Sequence, residues 1–274
     1  MESFILLHNN LYPKSSHLLM SNFKVLLEKL QIPIEKTQTL ALEGKFLPFI
    51  ERVKYYQKLF LLLLEAQETN HKILLCDSQS LLEIKRFLKA LYEETELRES
   101  LIKECGVEID ILSLENCFVF APEIMLNALK DSHLKSKCWQ GFKCALILDR
   151  ELETWAIESQ IIVGLEEITG LKIMPFFKES YAYLMQVNQV LAYKMGAADY
   201  YEMVDSGVDF ILTPNIGNFE LMDQNAVELK IASGRDDLEI PLLFIPQVIL
   251  ALFEETASCN ALQFKEHKIL PRML

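Results

Sequence analysis

The chain has 274 residues, 51% hydrophobic and 24% charged, a mixture typical of a soluble globular protein with one large or two smaller domains. Its formal net charge of −12 disfavours nucleic-acid binding, because an acidic surface repels phosphate backbones. The longest apolar run, Leu59–Leu64, is far short of the ~20 residues that cross a bilayer, and Phe4–Leu7 is too short for a signal-peptide core. We therefore expect a cytoplasmic protein without a transmembrane segment, whose six cysteines are reduced thiols.

The charge is unevenly shared between the halves of the chain. Residues 1–137 contain 17 basic and 19 acidic side chains, a balance of −2, whereas residues 138–274 contain 10 and 20, a balance of −10. The acidic second half allows a basic protein partner. Plain solubility is the simpler interpretation of the same charge.

Strand and helix patterns alternate along the first half. Its polar turn Cys76–Gln79 follows a buried strand and precedes an amphipathic helix that Ser80 is placed to cap. The predicted elements are, in order, a strand at Phe4–Leu7, a helix from Ser15 or Ser16 that ends before Pro33, a strand at Ile32–Glu35, a helix at Ile50–Asn70, a strand at Ile73–Leu75 with its helix, a strand at Asp110–Leu114 and a helix at Pro122–Leu129.

The second half repeats that order. Its central feature is Gly207–Phe219, in which a buried strand runs into a tight polar turn and then a helix. The predicted elements are a strand at Ala145–Leu148, a helix at Glu151–Thr169, a strand at Leu171–Met174, a long helix at Tyr181–Ser206 with a possible break near Gly196, the central strand, a helix at Phe219–Leu229, a strand at Ile240–Phe244 and a helix at Pro246–Glu255.

These patterns predict an α/β protein with two pseudo-repeated halves, each a mainly parallel sheet flanked by helices. We place the halves at residues 1–137 and 138–274, with a linker within residues 130–143. Ligands of parallel sheets bind beyond the carboxyl ends of the strands. The candidate positions are therefore His8, Asn9, Asn10, Cys76, Gln79, Asp149, Arg150, Asn215 and Asn218.

Three stretches resemble the heterodisulfide reductase B-subunit family of cysteine-rich CCG-domain proteins, and the likeness covers nearly the whole chain. They are Ile211–Asn218, which looks like the family's Val-Thr-Pro-Cys-Pro-x-Cys turn, Ile240–Phe244 followed by Gln247, like its closing strand and helix, and His71–Cys76 with the helix beyond it, like its first repeat. The resemblance implies the two-repeat fold. Each repeat in the family supplies a Cys after the first strand, a central Cys-Cys-Gly and a Cys-x-x-Cys after the third strand, and these cysteines bind iron–sulfur clusters.

Nearly all of those ligands are missing here. Only Cys76 remains in the two third-strand turns, where Gln79 and then Asn215 and Asn218 take the other positions. Because thiolates hold such clusters, the resemblance implies the fold and argues against the family's chemistry. The remaining ligand positions fall near Asn9 and Asn10, near Arg150 and Glu151, at Leu42–Gly44 and at Phe176–Lys178.

Each candidate residue also has a structural interpretation. Cys76 at a helix start could have a lowered thiol pKa, although neighbouring Asp77 opposes it, and a packing role is the simpler interpretation. Asn215 and Asn218 could bind a small ligand, but asparagine in a turn more often satisfies its own backbone. A soft-metal arrangement of His133, Cys138 and Cys144 matches no compact zinc spacing, so we expect no metal site.

The lost cluster pockets should be either filled or polar. Phe176 and Phe177, near the second Cys-Cys-Gly position, are large enough to fill one, which would leave any cavity beside His8, Asn9 and Cys76. We expect a non-catalytic binding or scaffold protein without a cofactor, working with a protein partner or as a homo-oligomer. The alternative is an oxidoreductase component that retains thiol or atypical iron–sulfur chemistry at Cys76.

Overall fold

The computed structural model describes residues 3–42, 45–107, 110–130, 138–236, 239–253 and 262–271. The chain divides into two compact units. The first unit comprises the residues up to Leu11 together with Ile32–Ala121, and the second comprises Tyr12–Gln31 together with the residues from Pro122 onward. Residues 131–137 of the predicted linker lie outside the described ranges, so the boundary at residue 137 stays a prediction.

Each unit contains a four-stranded parallel sheet, and the two sheets have the same strand order. The order is β2-β1-β3-β4 in the first unit and β6-β5-β7-β8 in the second. The predicted α/β class with two similar halves is thereby confirmed. The strands are β1 Phe4–Asn9, β2 Ile34–Leu40, β3 Lys72–Leu75, β4 Phe118–Phe120, β5 Lys143–Asp149, β6 Lys172–Lys178, β7 Phe210–Thr213 and β8 Leu242–Phe244.

The central strands form the core because helices cover both faces of a parallel sheet, which selects continuous apolar runs over alternating ones. Phe4–Leu7 of β1 and Ala145–Leu148 of β5 are fully buried. The α-helices are α1 Pro13–Lys29, α2 Leu47–Ile50, α3 Arg52–Thr69, α4 Ser78–Glu93, α5 Thr95–Cys105, α6 Ile111–Leu114, α7 Ala121–Lys130, α8 Glu153–Glu158, α9 Ile161–Thr169, α10 Gln189–Asp205, α11 Ile216–Phe219, α12 Ala226–Ser233 and α13 Ile245–Leu250.

Shorter helical turns complete the second unit. They are 3₁₀ turns at Arg150–Leu152, Ala182–Gln186 and Phe264–Glu266, and a π-helical turn at Glu220–Gln224. Among the described helices, none combines the length and apolar character needed to span a membrane.

The strand predicted at Asp110–Leu114 is wrong. Asp110 caps a helical turn there, since its Oδ1 accepts a hydrogen bond from the Leu112 N–H at 3.1 Å. The fourth strand of the first unit is instead β4, whose Phe118 pairs with Ile73. The alternating apolar pattern of this segment therefore belongs to a capped helical turn.

The long helix predicted from Tyr181 begins later than expected. Its first residues form the 3₁₀ turn, and Asn188 then caps α10 by accepting a hydrogen bond from the Leu191 N–H at 3.1 Å. Gly196 does not break the helix. A Cβ at this position would lie 2.7 Å from Leu221 Cδ2, so the glycine permits close packing against the π-helical turn.

Edge strand β6 extends beyond its predicted end and continues through Pro175. Proline has no N–H to donate to a ladder, and an edge strand tolerates it where a central strand does not. Among the described strands, β6 pairs only with β5. Phe176 and Phe177 are therefore strand residues, paired with Ile147 and Leu148.

Helix α1 follows β1 in the chain but belongs to the second unit. It contacts α11 and α13, and its buried face includes Leu19, Phe23 and Leu26. The same face contains the buried polar residue Ser15, whose Oγ donates to Glu220 Oε2 at 2.6 Å. The second unit is thus completed by a helix from the beginning of the chain.

Candidate functional site at the strand ends

In the first unit, the carboxyl ends of β1 and β3 bring Asn9 and Asp77 together. Leu7 of β1 pairs with Leu75 of β3 in the sheet. Asn9 lies two residues after Leu7, and Asp77 lies two residues after Leu75. Asn9 Oδ1 accepts hydrogen bonds from the N–H groups of Leu11 and Leu42, both at 3.2 Å. The Asn9 side chain also lies next to the Asp77 carboxylate, where it lowers the pKa of that group. We call this contact the first pair.

Asp77, and not the predicted Ser80, is the N-cap of α4. Its Oδ1 accepts the Ser80 N–H at 3.0 Å and its Oδ2 accepts the Ser80 hydroxyl at 2.6 Å. Complete burial raises the pKa of Asp77 to about 6, and the hydrogen bonds from Ser80, together with the neighbouring Asn9 side chain, oppose that rise. Aspartate rather than serine caps the helix because its two carboxylate oxygens accept hydrogen bonds from both the N–H and the hydroxyl of Ser80.

Cys76 is only 1% exposed, so its thiol is buried. It lies directly between the end of β3 and the α4 cap. Of its predicted neighbours, His8 is half-buried, Asn10 is exposed and Gln79 is half-buried. A buried thiol beside a buried carboxylate lacks the exposure and positive surroundings that make cysteines reactive.

The sequence patterns did not predict a buried polar cluster that lies next to the strand ends of the first sheet. Tyr55 donates to Glu83 Oε2 at 2.9 Å, while Arg86 contacts Glu83 Oε1 at 2.8 Å. Gln79 also donates to Glu83 Oε1, at 3.2 Å. Burial, reinforced by the Glu83 charge, raises the pKa of Tyr55, so its hydroxyl remains a donor. Gln79 thus supports a structural cluster that links α3 to α4.

In the second unit, the corresponding strand ends bring Asp149 and Asn215 together. Asn215 Nδ2 donates to Asp149 Oδ2 at 2.9 Å, and both side chains are buried. Asn215 Oδ1 accepts the Asn218 N–H at 3.0 Å and so caps α11. Its own N–H donates to Thr213 Oγ1 at 3.1 Å. We call the Asp149–Asn215 contact the second pair.

The turn after the second pair is tightly packed around Gly217. A Cβ at this position would lie 2.9 Å from the Ala182 Cβ and 3.1 Å from Asn215 Oδ1. Asn218 is 1% exposed, and neither its side-chain oxygen nor its nitrogen has a hydrogen-bond partner among the described residues. The predicted asparagine site therefore contains one residue with a clear structural role and one whose amide is unsatisfied.

Phe176 and Phe177 both lie half-buried on edge strand β6. Successive side chains of a strand point to opposite faces, so the two rings cannot fill the same space. The idea that one of them plugs a lost cluster pocket stays a prediction. Glu43 and Gly44 of the other Cys-Cys-Gly position lie outside the described residues.

The soft-metal arrangement is only partly described. His133 lies outside the described ranges, as does Cys259. Cys144 is buried within β5, where desolvation raises its thiol pKa to about 12, and Cys138 donates its S–H to the Ala251 carbonyl at 3.5 Å. Within the described parts of the chain, no three His, Cys, Asp or Glu side chains are grouped to hold a metal ion.

A second buried network was also missed, since its members lie far apart in the chain. His267 Nδ1 lies 3.1 Å from Asp223 Oδ2, and its Nε2 lies 2.8 Å from Gln247 Nε2. Gln247 in turn accepts the Phe244 N–H at 2.9 Å and donates to the Leu262 carbonyl at 2.8 Å. The network anchors the segment around His267 to β8, α13 and the π-helical turn.

Two four-stranded parallel sheets with hydrogen-bonded strand ends define an α/β protein of the two-unit class. Residues 181–268 match the family model described as HdrB-like C-terminal domain. This match supports a likeness to the heterodisulfide reductase B-subunit family over a range that includes Asn215, Gln247 and His267. The resemblance predicted from the sequence is thereby confirmed.

One solved structure is similar over almost the whole chain. A hypothetical protein from Helicobacter pylori has a TM-score of 0.77 and 21% identity, over 97% of this chain and 53% of its own. The chain thus spans about half the length of that relative, and the likeness shows the fold alone. No curated protein matches the sequence.

Sugar-binding proteins give weaker similarities. A sugar-binding protein of an ABC sugar transporter from Legionella pneumophila has a TM-score of 0.34 and 10% identity, over 99% of this chain and 97% of its own. An arabinose-binding protein from Geobacillus stearothermophilus has a TM-score of 0.30 and 12% identity, over 89% and 74%. Scores this low carry no functional argument.

The residues at the strand ends do not fit the family's iron–sulfur cluster. Such clusters are held by thiolates, and the second unit offers a carboxylate and amides at Asp149, Asn215 and Asn218. Two of these three side chains are already bonded to each other. In the first unit Cys76 is the one cysteine at a ligand position among the described residues.

Proposed function

We propose that this protein is a non-catalytic binding protein or scaffold, built on an HdrB-like fold that has lost the cluster. The second pair is the observation that carries the proposal. At the strand ends, where the family binds its cofactor, Asn215 is committed to a buried hydrogen bond with Asp149 and to the cap of α11. Such a residue stabilises the loop, and its amide is not one of the thiolate ligands that hold an iron–sulfur cluster.

The acidic residues 138–274 support a protein partner with a basic surface, or a second copy of the chain, and disfavour nucleic acid. We expect this partner to be found in the cytoplasm. Co-purification from the native host under low salt, compared with the same preparation at high salt, tests for it, because screening weakens surface charge interactions.

The alternative function is an oxidoreductase component using Cys76. Its support is the position of that thiol, directly before the α4 cap at a family ligand position. The burial of Cys76 and of its neighbour Asp77 argues against it, because a thiolate there would be desolvated beside a carboxylate.

Anaerobic expression with added iron and sulfide separates the two functions. We expect the purified protein to be colourless and to contain no more iron or acid-labile sulfide than a Cys76→Ser variant prepared in parallel. Broad visible absorption together with iron that disappears in the variant would establish cluster chemistry and overturn the proposal.

A further inference from the structure

The second unit contains a cavity of about 430 Å³ that none of the strand-end residues lines. It lies among the first turns of α1, the π-helical turn and the segment around His267. Its volume falls within the range of about 300–1,000 Å³ that is typical of small-molecule sites. The cavity therefore has room for a metabolite-sized ligand.

Basic side chains surround this cavity although the protein is strongly acidic. Lys14, Lys265 and Lys268 line it, together with His17, while Glu266 is the one carboxylate among the described lining residues. None of the three lysine ammonium groups forms an ion pair with any described residue. The carboxylates of Glu220 and Asp223 lie below this lining, where they are bonded to Ser15 and His267. The three lysines at the rim are therefore the groups that favour an anionic ligand.

The first turn of helix α1 adds backbone N–H donors to the lining of the cavity. Its first turn has no acidic residue, and Tyr12 at the N-cap makes no side-chain cap. Pro13 lacks an N–H, so the N–H groups of Lys14 and Ser15 are the donors that this 17-residue helix presents near the cavity. Backbone donors and the helix dipole favour phosphate at such a position.

The floor of the cavity is held in place from below. Ser15 is buried and its hydroxyl is fixed by the hydrogen bond to Glu220, while His267 is fixed by Asp223 and Gln247. Leu18 and Phe219 supply apolar floor between these polar groups. A fixed floor with exposed lysines at the rim suits a ligand with an apolar or ring portion and a charged end.

From the cavity, its three lysines and the α1 terminus, we infer that this site binds a phosphorylated small molecule. The phosphate lies against the lysines and the first turn of α1, and the remainder of the ligand contacts Leu18 and Phe219. The inference goes beyond the proposed function and does not rest on it, because the cavity is separate from the strand ends.

Isothermal titration calorimetry of the full chain with inorganic phosphate, AMP and adenosine, each in a separate titration, tests the inference. We expect AMP to bind more tightly than phosphate, and adenosine to show no binding. Lys14→Gln and Lys268→Gln should each weaken AMP binding by about tenfold, the loss of one charge-assisted hydrogen bond. Lys24→Gln, an exposed lysine of α1 outside the cavity, is the matched control and should bind as the wild type does.

Equal affinity for adenosine and AMP, an unchanged affinity in both cavity variants, or no binding of phosphate or AMP would each overturn the inference. Far-ultraviolet circular dichroism of each variant checks that it is folded. Iron content is measured separately, so failure of this site and failure of the proposed function give different results.

Discussion

The two units place the same pair of chemical groups at the same edge of their sheets, but with the groups exchanged. In the first pair the amide of Asn9 ends the first strand and the carboxylate of Asp77 caps the helix after the third. In the second pair the carboxylate of Asp149 ends the first strand and the amide of Asn215 provides the cap. The sheet registers place both pairs at corresponding positions.

The exchange teaches that the contact, rather than the identity of either residue, is what both units need. An amide donor and a carboxylate acceptor satisfy each other in either direction, and both aspartate and asparagine are good N-caps. The difference matters for charge. The first unit has its carboxylate at the start of the 16-residue helix α4, whereas the second has an uncharged cap on the four-residue α11.

The largest effect is expected when the second pair is broken. Asn215→Leu removes the donor to Asp149 and the cap of α11, and it leaves a buried carboxylate with one partner fewer. We expect the free energy of unfolding to fall by about 3–4 kcal/mol in a urea titration.

The exchanged double variant, Asp149→Asn with Asn215→Asp, is the matched control. It copies the arrangement of the first pair, so it should be more stable than the sum of its single variants predicts, by about 1–2 kcal/mol. Strict additivity of the two substitutions would show that the pairs are not interchangeable.

The carboxylate of the first pair predicts that the free energy of unfolding depends on pH. The pKa of Asp77 is about 6 in the folded chain against 3.8 ordinarily, so the folded state holds this proton more tightly. Stability from this group is therefore greatest below pH 4 and declines as pH rises to 6, by about 3 kcal/mol. Asp77→Asn should lack this decline when unfolding is measured across that pH range.

Wild type and Asp77→Asn are compared at each pH, so that all other titrating groups cancel. Parallel stability curves for the two proteins would contradict the raised pKa. The asparagine variant retains a competent cap for α4, which keeps a general loss of the helix from obscuring the result.

Cys76→Ser should have a smaller effect. Because Cys76 is buried, the serine hydroxyl loses water and the variant should be about 1–2 kcal/mol less stable than the wild type. Cys105→Ser, on the half-buried end of α5, is the control and should change stability less. An equal effect of both substitutions would show that Cys76 lies in a more polar environment than its burial indicates.

The smallest change is expected at Asn218. Leucine has a similar shape and removes two buried polar atoms that have no partner among the described residues, so Asn218→Leu should stay within about 1 kcal/mol of the wild type or stabilise it. Thermal unfolding measures the difference. A loss comparable to that of Asn215→Leu would reveal an ordered water or ligand bonded to this amide.

Sequence patterns predicted the elements that are set by local chemistry. Buried strands such as Ile73–Leu75 are continuous apolar runs, and the turn after Thr213 contains its own capping asparagine, so both follow from neighbouring residues. The α/β class followed from their order. The incorrect prediction of a strand at Asp110–Leu114 shows the limit of such patterns. Over a few residues, one capping hydrogen bond stabilises a helical turn more than an alternating apolar pattern favours a strand.

The site was less predictable, since its contacts join residues far apart in the chain. Asn9, Cys76 and Asn215 were found because each follows a strand, yet nothing local distinguishes Asp77 from Ser80 as the α4 cap. The Asp223, Gln247 and His267 network depends on the π-helical turn, which no pattern of apolar residues indicates. Prediction of such contacts requires the tertiary structure.

Helix α1 has a consequence for how the protein is made. Translation produces α1 before α11 and α13, the helices that it contacts. Until those helices are synthesised, its apolar residues, such as Leu19 and Phe23, have no permanent partner. Nascent chains released before β7 should therefore be prone to aggregation and dependent on chaperones, whereas the finished chain conceals this surface.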